Sequence, residues 1–199
     1  MGQGGAALGV TWSGQGCAGG EALLSLYNGL VLPHLQYCLM VWGDFQGGRN
    51  VTLGQALLRY QKRFAGLVAG RRGMYHADPL FAQFAMLKVG DLYRQQLRIH
   101  AWRFWNGRLP ENQAAMLRRV GDVHGHATRA SRLGLHMATG DHASVGYRVP
   151  REWAGLTEDQ RGACSLAAFK RRSRAGFLWE YGVFVCDVAG CRVCGESVI

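Results

Sequence analysis

Basic side chains recur at helical spacing in the middle of the chain. Arg59, Lys62 and Arg63 are three and four residues apart, so on a helix their charged groups emerge on one side. Arg71 and Arg72 follow a few residues later. Lysine and arginine side chains that neutralise phosphates release counterions, which gives affinity for nucleic acid without base choice. The pattern predicts a phosphate track, and a solvated helix face is the alternative.

A second set combines cations with aromatic rings. Arg94, Arg98, Trp102 and Trp105 share one side of a predicted helix, at spacings i, i+4, i+8 and i+11. Aromatic rings beside guanidinium groups can stack on bases and hold phosphates of single strands and heteroduplex ends. In the alternative, both tryptophan rings face the core and the arginine stems extend over them. All four residues are candidate nucleic-acid contacts.

A third basic cluster lies near the end of the chain and consists of Lys170, Arg171, Arg172 and Arg174. Such a run is typical of a nuclear-localisation signal or of a nucleic-acid patch. A solvated face of an amphipathic helix explains it equally well. Lys170, Arg171 and Arg174 are therefore included among the candidate contacts.

Three cysteines, Cys186, Cys191 and Cys194, are weak candidates for metal ligands. Structural zinc takes four ligands, and the fourth would have to come from Cys164 or from a distant histidine such as His142. We therefore expect no metal in this chain, with zinc as the option that metal analysis would test.

The sequence lacks the residues that catalysis would need. No two aspartates are adjacent, whereas two-metal phosphoryl transfer requires carboxylates that converge on both ions. A Gly-x-Ser-x-Gly elbow and the Gly-Lys-Ser/Thr ending of a phosphate loop are also missing. We predict that the chain is not an enzyme on its own and holds no cofactor.

The overall charge favours a polyanionic partner. The 199 residues carry a formal net charge of +10, and between Arg49 and Arg119 there are 13 Lys or Arg residues against three acids. The longest apolar stretch is interrupted by Pro33 and His34, which predicts no membrane span. The first residues do not resemble a signal peptide. We expect a soluble, intracellular protein, with the nucleus as one location.

Hydrophobic periodicity predicts a mainly α fold, a small helical domain with one short strand or β-ribbon. The predicted helices cover residues 21–41, 51–67, 78–87, 91–106, 110–119 and 166–181. Residues 144–149 are predicted as the strand, which Pro150 would restrict to a sheet edge. In domain terms, 1–20 is a flexible Gly-rich leader, 21–181 the helical region and 182–199 a Cys-containing tail.

Details of these helices follow from single residues. Pro33 predicts a kink or a break in the first helix, and Asp78, Asp91 and Ser165 are predicted N-caps. The second helix carries an apolar stripe that is expected to face a core. That stripe consists of Leu53, Leu57, Tyr60, Phe64 and Leu67.

Residues 26–38, Leu-Tyr-Asn-Gly-Leu-Val-Leu-Pro-His-Leu-Gln-Tyr-Cys, are followed by Val-Trp-Gly at 41–43. This segment resembles the sequence just beyond the palm domain of LINE-type (non-LTR) retrotransposon reverse transcriptases. Later motifs keep the order of that family: Leu-Arg-Tyr-Gln-Lys-Arg at 58–63, Asp-Pro-Leu-Phe at 78–81, Asp-Leu-Tyr-Arg-Gln-Gln-Leu at 91–97, Leu-Pro at 109–110, Thr-Arg at 128–129, Tyr-Arg-Val-Pro at 147–150 and Phe-Lys-Arg-Arg at 169–172. One departure is that Ala-Gly-Leu-Thr follows Trp153, where the family has Asn-x-Leu-Pro.

The resemblance covers about residues 21–177 and implies a thumb-like helical region that grips template and primer. In the family the paired catalytic aspartates and their Mg²⁺ belong to the palm, upstream of this region. We therefore expect a truncated, non-catalytic fragment of an RNA-directed DNA polymerase. Its expected partners are RNA, DNA or their hybrid, and the palm and fingers of a polymerase. The alternatives are a decayed, non-functional remnant and a small zinc-dependent interaction module.

Overall fold

A computed structural model describes residues 19–45, 50–71, 74–123, 134–140 and 142–183. Most of the predicted leader, and all but two residues of the predicted tail, lie outside these ranges. The described part is mainly α-helical, as predicted. Its elements, in chain order, are α1 (Gly19–Leu26), a π-helical turn (Tyr27–Val31), α2 (Leu32–Gln36), α3 (Leu39–Trp42), α4 (Val51–Val68), α5 (Asp78–Gln83), α6 (Val89–Trp105), α7 (Glu111–Ala114), α8 (Val120–Val123), α9 (Val145–Ala154), α10 (Glu158–Arg161) and α11 (Leu166–Gly182).

At Pro33 the structure has a local widening of the helix, where the sequence predicted a kink or a break. The chain stays helical from α1 through the π-helical turn into α2, where Pro33 occupies the first turn. Because proline has no amide hydrogen to donate to the preceding turn, the helix widens to the π form just before it. The break comes later, at Cys38, whose φ of 48° is left-handed.

The helix α4 has the predicted extent, but the predicted core stripe is wrong for three of its five residues. Leu53, Tyr60 and Leu67 are exposed at 44%, 66% and 62%. The buried side consists mainly of small residues, since Gly54, Ala65 and Gly66 are all buried together with Gln61 and Val68.

These small residues allow aromatic rings to approach α4 closely. A Cβ placed at Gly54 would lie 2.5 Å from the Phe45 ring, and one at Gly66 would overlap the Tyr75 ring. Gln61 replaces an apolar residue in the middle of this side, where its amide donates to the Tyr27 hydroxyl at 2.8 Å and accepts from the Val89 amide at 2.8 Å. Space and hydrogen bonding therefore determine the buried side of α4, and three of its large apolar residues, Leu53, Tyr60 and Leu67, face solvent.

The predicted strand at residues 144–149 is wrong, because these residues enter helix α9. Pro150 lies inside this helix and cannot donate to the carbonyl of Gly146, four residues earlier. That carbonyl accepts a hydrogen bond from the Ala138 amide at 3.0 Å instead. The proline is tolerated because the carbonyl that it leaves unpaired has another donor. In the described part of the chain, the β pairing consists of a single bridge between Arg119 and Leu135.

The predicted caps are confirmed at one helix and wrong at two. Ser165 caps α11, where its hydroxyl accepts from the Ala168 amide at 3.2 Å. Asp78 and Asp91 lie inside the first turns of α5 and α6, and the caps are Ala77 and Lys88. Both carboxylates still stabilise their helices, because negative charge near a helix N-terminus interacts favourably with the helix dipole. The predicted helix 110–119 is reduced to α7.

The core is organised around α6, which packs against α9 and α11. Its largest fully buried side chains include Phe81, Trp102, Trp153, Phe169 and Phe177, each at most 1% exposed. Among the described residues, none of the helices has the length and apolar character that crossing a membrane would require.

Candidate nucleic-acid interface

The outward side of α4 carries the first basic set as predicted. Arg59, Lys62 and Arg63 are exposed, and Arg71 is exposed just beyond the end of the helix. In the described part of the chain, none of these four cations has a carboxylate within 4.0 Å. Arg72 lies outside the described residues. Four neighbouring positive charges are thus available to an external anion.

The backbone around this surface is held in place by Tyr75. Its hydroxyl donates to the Lys62 carbonyl at 2.9 Å, and its ring lies against Gly66. The Arg71 amide donates to the Gly66 carbonyl at 2.9 Å, so the chain turns sharply after α4. Arg71 therefore stays close to the helix that carries the other three cations.

Tyr60 belongs to this surface, although its spacing predicted a core residue. Its side chain is 66% exposed and lies between Arg59 and Arg63 in sequence and near both on the same exposed part of α4. An exposed aromatic ring among cations is the combination that stacks on unpaired bases. The local run Arg-Tyr-Gln-Lys-Arg at 59–63 is the signal that could have identified it.

Arg94 and Arg98 of the second set are occupied within the fold, which corrects their assignment as free contacts. Both donate to the Glu152 carboxylate of α9, at 3.0 and 2.9 Å. Their guanidinium groups lie over the Phe177 ring at 5.0 and 4.3 Å. Only 9% of the Arg98 side chain is exposed. The two arginines therefore cover the core, as in the alternative, but over the Phe177 ring and not over the tryptophan rings.

Trp102 and Trp105 likewise pack against other aromatic rings of the fold. Trp102 is 1% exposed and stacks on Phe169 with 5.9 Å between ring centroids. Trp105 is partly buried and stacks on Trp153 at 5.4 Å. The two rings therefore join α6 to α11 and to α9, and the spacing that suggested base stacking reflects core contacts.

A polar network continues from Arg94 toward the end of α11. Asp91 accepts from Arg94 at 3.3 Å and from the Tyr181 hydroxyl, and Tyr181 also accepts from the Lys88 amide at 3.2 Å. Burial and the adjacent Asp91 carboxylate raise the pKa of Tyr181 well above its usual value. The network thus keeps the phenol protonated in the folded state.

We expect Tyr181→Phe to lower the unfolding free energy by about 2 kcal/mol at neutral pH, because a hydrogen bond to a carboxylate is lost. The unfolded phenol ionises near pH 10 whereas the folded one keeps its proton, so the wild-type protein loses stability above about pH 10. The difference between the two proteins should therefore shrink as the pH rises from about 9 to 11. Urea unfolding across this range measures it, and a constant difference would contradict the assigned role. Tyr37→Phe, at a side chain that is 76% exposed, is the control.

The third basic cluster is divided between solvent and the fold. Lys170 and Arg171 are exposed on α11. Arg172 pairs with Asp159 at 3.1 Å, and Arg174 donates to the Ala85 carbonyl. Arg174 therefore connects α11 to the turn after α5, which leaves Lys170 and Arg171 as the cations of the cluster that have no acidic partner among the described residues.

The metal candidates cannot be placed in the fold. Cys186, Cys191 and Cys194 lie outside the described residues. Within the described ranges no group of three or more histidine, cysteine or acidic side chains could hold an ion. Of the two residues considered as a fourth ligand, Cys164 is exposed and His142 stacks on the Tyr147 ring at 4.3 Å.

Comparison with known proteins adds no relative: no family model, no curated protein and no solved structure matches this chain. Of the predicted sites, the surface of α4 combines the most exposed cations, Arg71 beyond its end included, with an exposed aromatic ring.

Proposed function

We propose that the exposed side of α4 binds the backbone of RNA, DNA or their hybrid without sequence specificity. The observation that carries the proposal is the exposure of Arg59, Lys62 and Arg63, none of which has an acidic partner in the described part of the chain. Positive charges that no carboxylate of the described residues neutralises are available for phosphates, and binding them releases counterions.

The spacing of these cations suits a polyanion. Arg59 and Arg63 are one helical turn apart, which corresponds to about 6 Å along the axis of α4. That distance is close to the rise of two phosphates of one strand along the axis of a duplex, at about 3.4 Å for each phosphate. Arg71 extends the set just beyond the end of the helix. A nucleic-acid strand that runs along α4 would therefore contact cations at several points.

Tyr60 supports single-stranded segments or hybrid ends as the target. Its exposed ring offers a stacking surface worth about 1–3 kcal/mol per base, which is independent of base identity. The neighbouring arginines would hold the phosphates on either side. The expected ligand is therefore a strand with at least one unpaired base near the duplex.

In a biological setting we propose that this region is the post-palm, thumb-like part of a LINE-type reverse transcriptase. The ordered motifs from residue 26 to residue 172 support this origin, and the absence of adjacent aspartates from the sequence supports a binding role without catalysis. Mg²⁺ and the phosphoryl transfer would belong to a palm domain that carries the paired aspartates.

Titration of a labelled RNA–DNA primer–template with the purified chain tests the proposal. Fluorescence anisotropy at several salt concentrations should give saturable binding at low salt. With about four phosphate contacts, the plot of log affinity against log salt should have a slope of about −3 to −4. A slope near zero, or no saturation at about 50 mM salt, would exclude the phosphate track.

A further inference from the structure

An open apolar groove lies between α4 and the first helices. It has a volume of about 580 Å³ and is lined by Leu30, Val31, His34, Leu35, Trp42, Leu53 and Leu57. His34 is the one polar side chain in this set. Sites for small metabolites usually contain several placed polar groups that fix orientation, and this lining offers almost none.

The apolar surface continues beyond the groove. Leu30 is 61% exposed, Val31 43% and Leu53 44%, and Tyr60 and Leu67 follow Leu53 at seven-residue steps along α4. Residues seven apart lie almost in line on a helix. The groove and this row together form a strip that matches the length of a few helical turns.

The charge beside the strip limits what can occupy it. Arg59 and Arg63 lie next to Tyr60 on α4, so the strip has a basic edge where it continues beyond the groove. In the described part of residues 19–71 the acids are Glu21 and Asp44, and Asp44 is paired with Arg148. Glu21 lies near the C-terminal end of α4, because the adjacent Gly20 approaches the Val68 carbonyl, so it is distant from Leu53 at the start of that helix. In the described part of residues 19–71, no unpaired acid therefore lies beside Leu53 and Leu57, the α4 residues that line the groove.

A second copy of this chain fits this surface poorly. The formal charge of +10 would oppose self-association, and a symmetric contact would bring Arg59 and Arg63 toward the same residues of the other copy. A partner with acidic residues beside an apolar row would instead match both the strip and its edge.

We propose that the groove binds an amphipathic α-helix of a protein partner. Apolar side chains at positions i, i+3 or i+4, and i+7 of that helix enter between Leu30 and Leu53. Carboxylates on one flank of the helix face Arg59 and Arg63. The partner then shares two arginines with the nucleic-acid surface, so helix and nucleic acid compete.

A displayed library of 16-residue helical peptides, each with a fixed apolar row and randomised flanking positions, tests this inference. Selection on the full chain should enrich peptides with glutamate or aspartate on one flank. The selected peptide should bind Leu30→Ser/Leu53→Ser at least about tenfold more weakly, as expected when buried apolar anchors are removed. It should bind Arg59→Gln/Arg63→Gln about threefold to tenfold more weakly, as expected when partly exposed charge pairs are lost.

A matched control is Met116→Ser/Met137→Ser, because these side chains are 63% and 48% exposed and lie outside the groove. It should bind the selected peptide as the wild-type chain does. Far-UV circular dichroism verifies that each variant is folded. The inference is overturned if no peptide is enriched, if the flanks show no acidic preference, or if Leu30→Ser/Leu53→Ser binds normally.

The same variants distinguish the proposed helix from two other occupants of the groove, a second copy of the chain and nucleic acid. If the wild-type chain forms a dimer that Leu30→Ser/Leu53→Ser abolishes, the strip is a self-association surface and the proposed partner is wrong. If that variant loses primer–template affinity, the groove belongs to the nucleic-acid surface, which also overturns the inference. Normal primer–template binding with lost peptide binding supports it, and this result does not depend on the proposed function.

Discussion

Replacement of Trp102 by alanine is expected to lower the free energy of unfolding by about 3–5 kcal/mol, the range for a large aromatic side chain lost from a core. The indole is 1% exposed and stacks on Phe169, so its removal leaves a cavity between α6 and α11. The Arg108 guanidinium, which lies 5.4 Å from the Trp102 ring, loses its contact as well. Urea unfolding followed by far-UV circular dichroism measures the change.

This prediction distinguishes a core role for Trp102 from the base-stacking role that its spacing suggested. Under conditions in which Trp102→Ala remains folded, its affinity for an RNA–DNA primer–template should equal that of the wild-type chain. Tyr60→Ala should behave in the opposite way, with a stability change below about 1 kcal/mol and weaker binding by about 1–3 kcal/mol. A folded Trp102→Ala protein with reduced affinity would show that the ring takes part in binding.

The same experiment addresses the interpretation of the chain as a remnant without a stable fold. A cooperative wild-type transition and its shift by one core substitution require specific side-chain contacts. A remnant that does not fold would give little helical signal and no transition. Trp102→Ala would then have no measurable effect.

The positions of α4 and α11 were predictable from sequence because their signals are local. The helix of α4 was expected at 51–67 and extends over Val51–Val68, and α11 was expected at 166–181 and extends over Leu166–Gly182. Periodicity and the Ser165 cap depend on neighbours within one or two turns. These features need no knowledge of what packs on the helix.

The buried side of α4 was not predictable in this way, because distant residues determine it. Phe45 and Tyr75 approach through Gly54 and Gly66, and Gln61 is satisfied by Tyr27 and Val89. Hydrophobicity alone assigns Tyr60 and Leu67 to a core and glycine to no side at all. The tertiary contacts instead bury the glycines and leave Tyr60 and Leu67 exposed, which creates the exposed ring and the apolar strip.

The second basic set was misassigned for a related reason. Spacing correctly placed Arg94 and Arg98 on one side of α6, but their partner Glu152 is more than 50 residues away in sequence. The residues that begin helix α9, which supplies Glu152, were predicted as a strand that Pro150 would restrict to a sheet edge. Without that helix Glu152 had no predicted position, so the sequence offered no acidic partner for the two arginines.

The second large effect concerns the cations of α4. Replacing Arg59, Lys62 and Arg63 together by glutamine lowers the formal net charge from +10 to +7. If each cation neutralises one phosphate, the slope of log affinity against log salt becomes less negative by about 2–3. The fold-loss of affinity between about 50 and 200 mM salt is then smaller than that of the wild type by a factor of about 16 to 64. Fluorescence anisotropy with the labelled primer–template measures both quantities.

The stability of this triple variant should stay within about 0.5 kcal/mol of the wild type, as is usual for exposed residues without special contacts. A variant of equal charge, Arg103→Gln/Arg118→Gln/Arg151→Gln, removes three other exposed cations. If binding depends on a track along α4, this control keeps most of the wild-type salt slope. If both variants lose the same slope, the attraction comes from the field of the whole protein, and the α4 track is wrong.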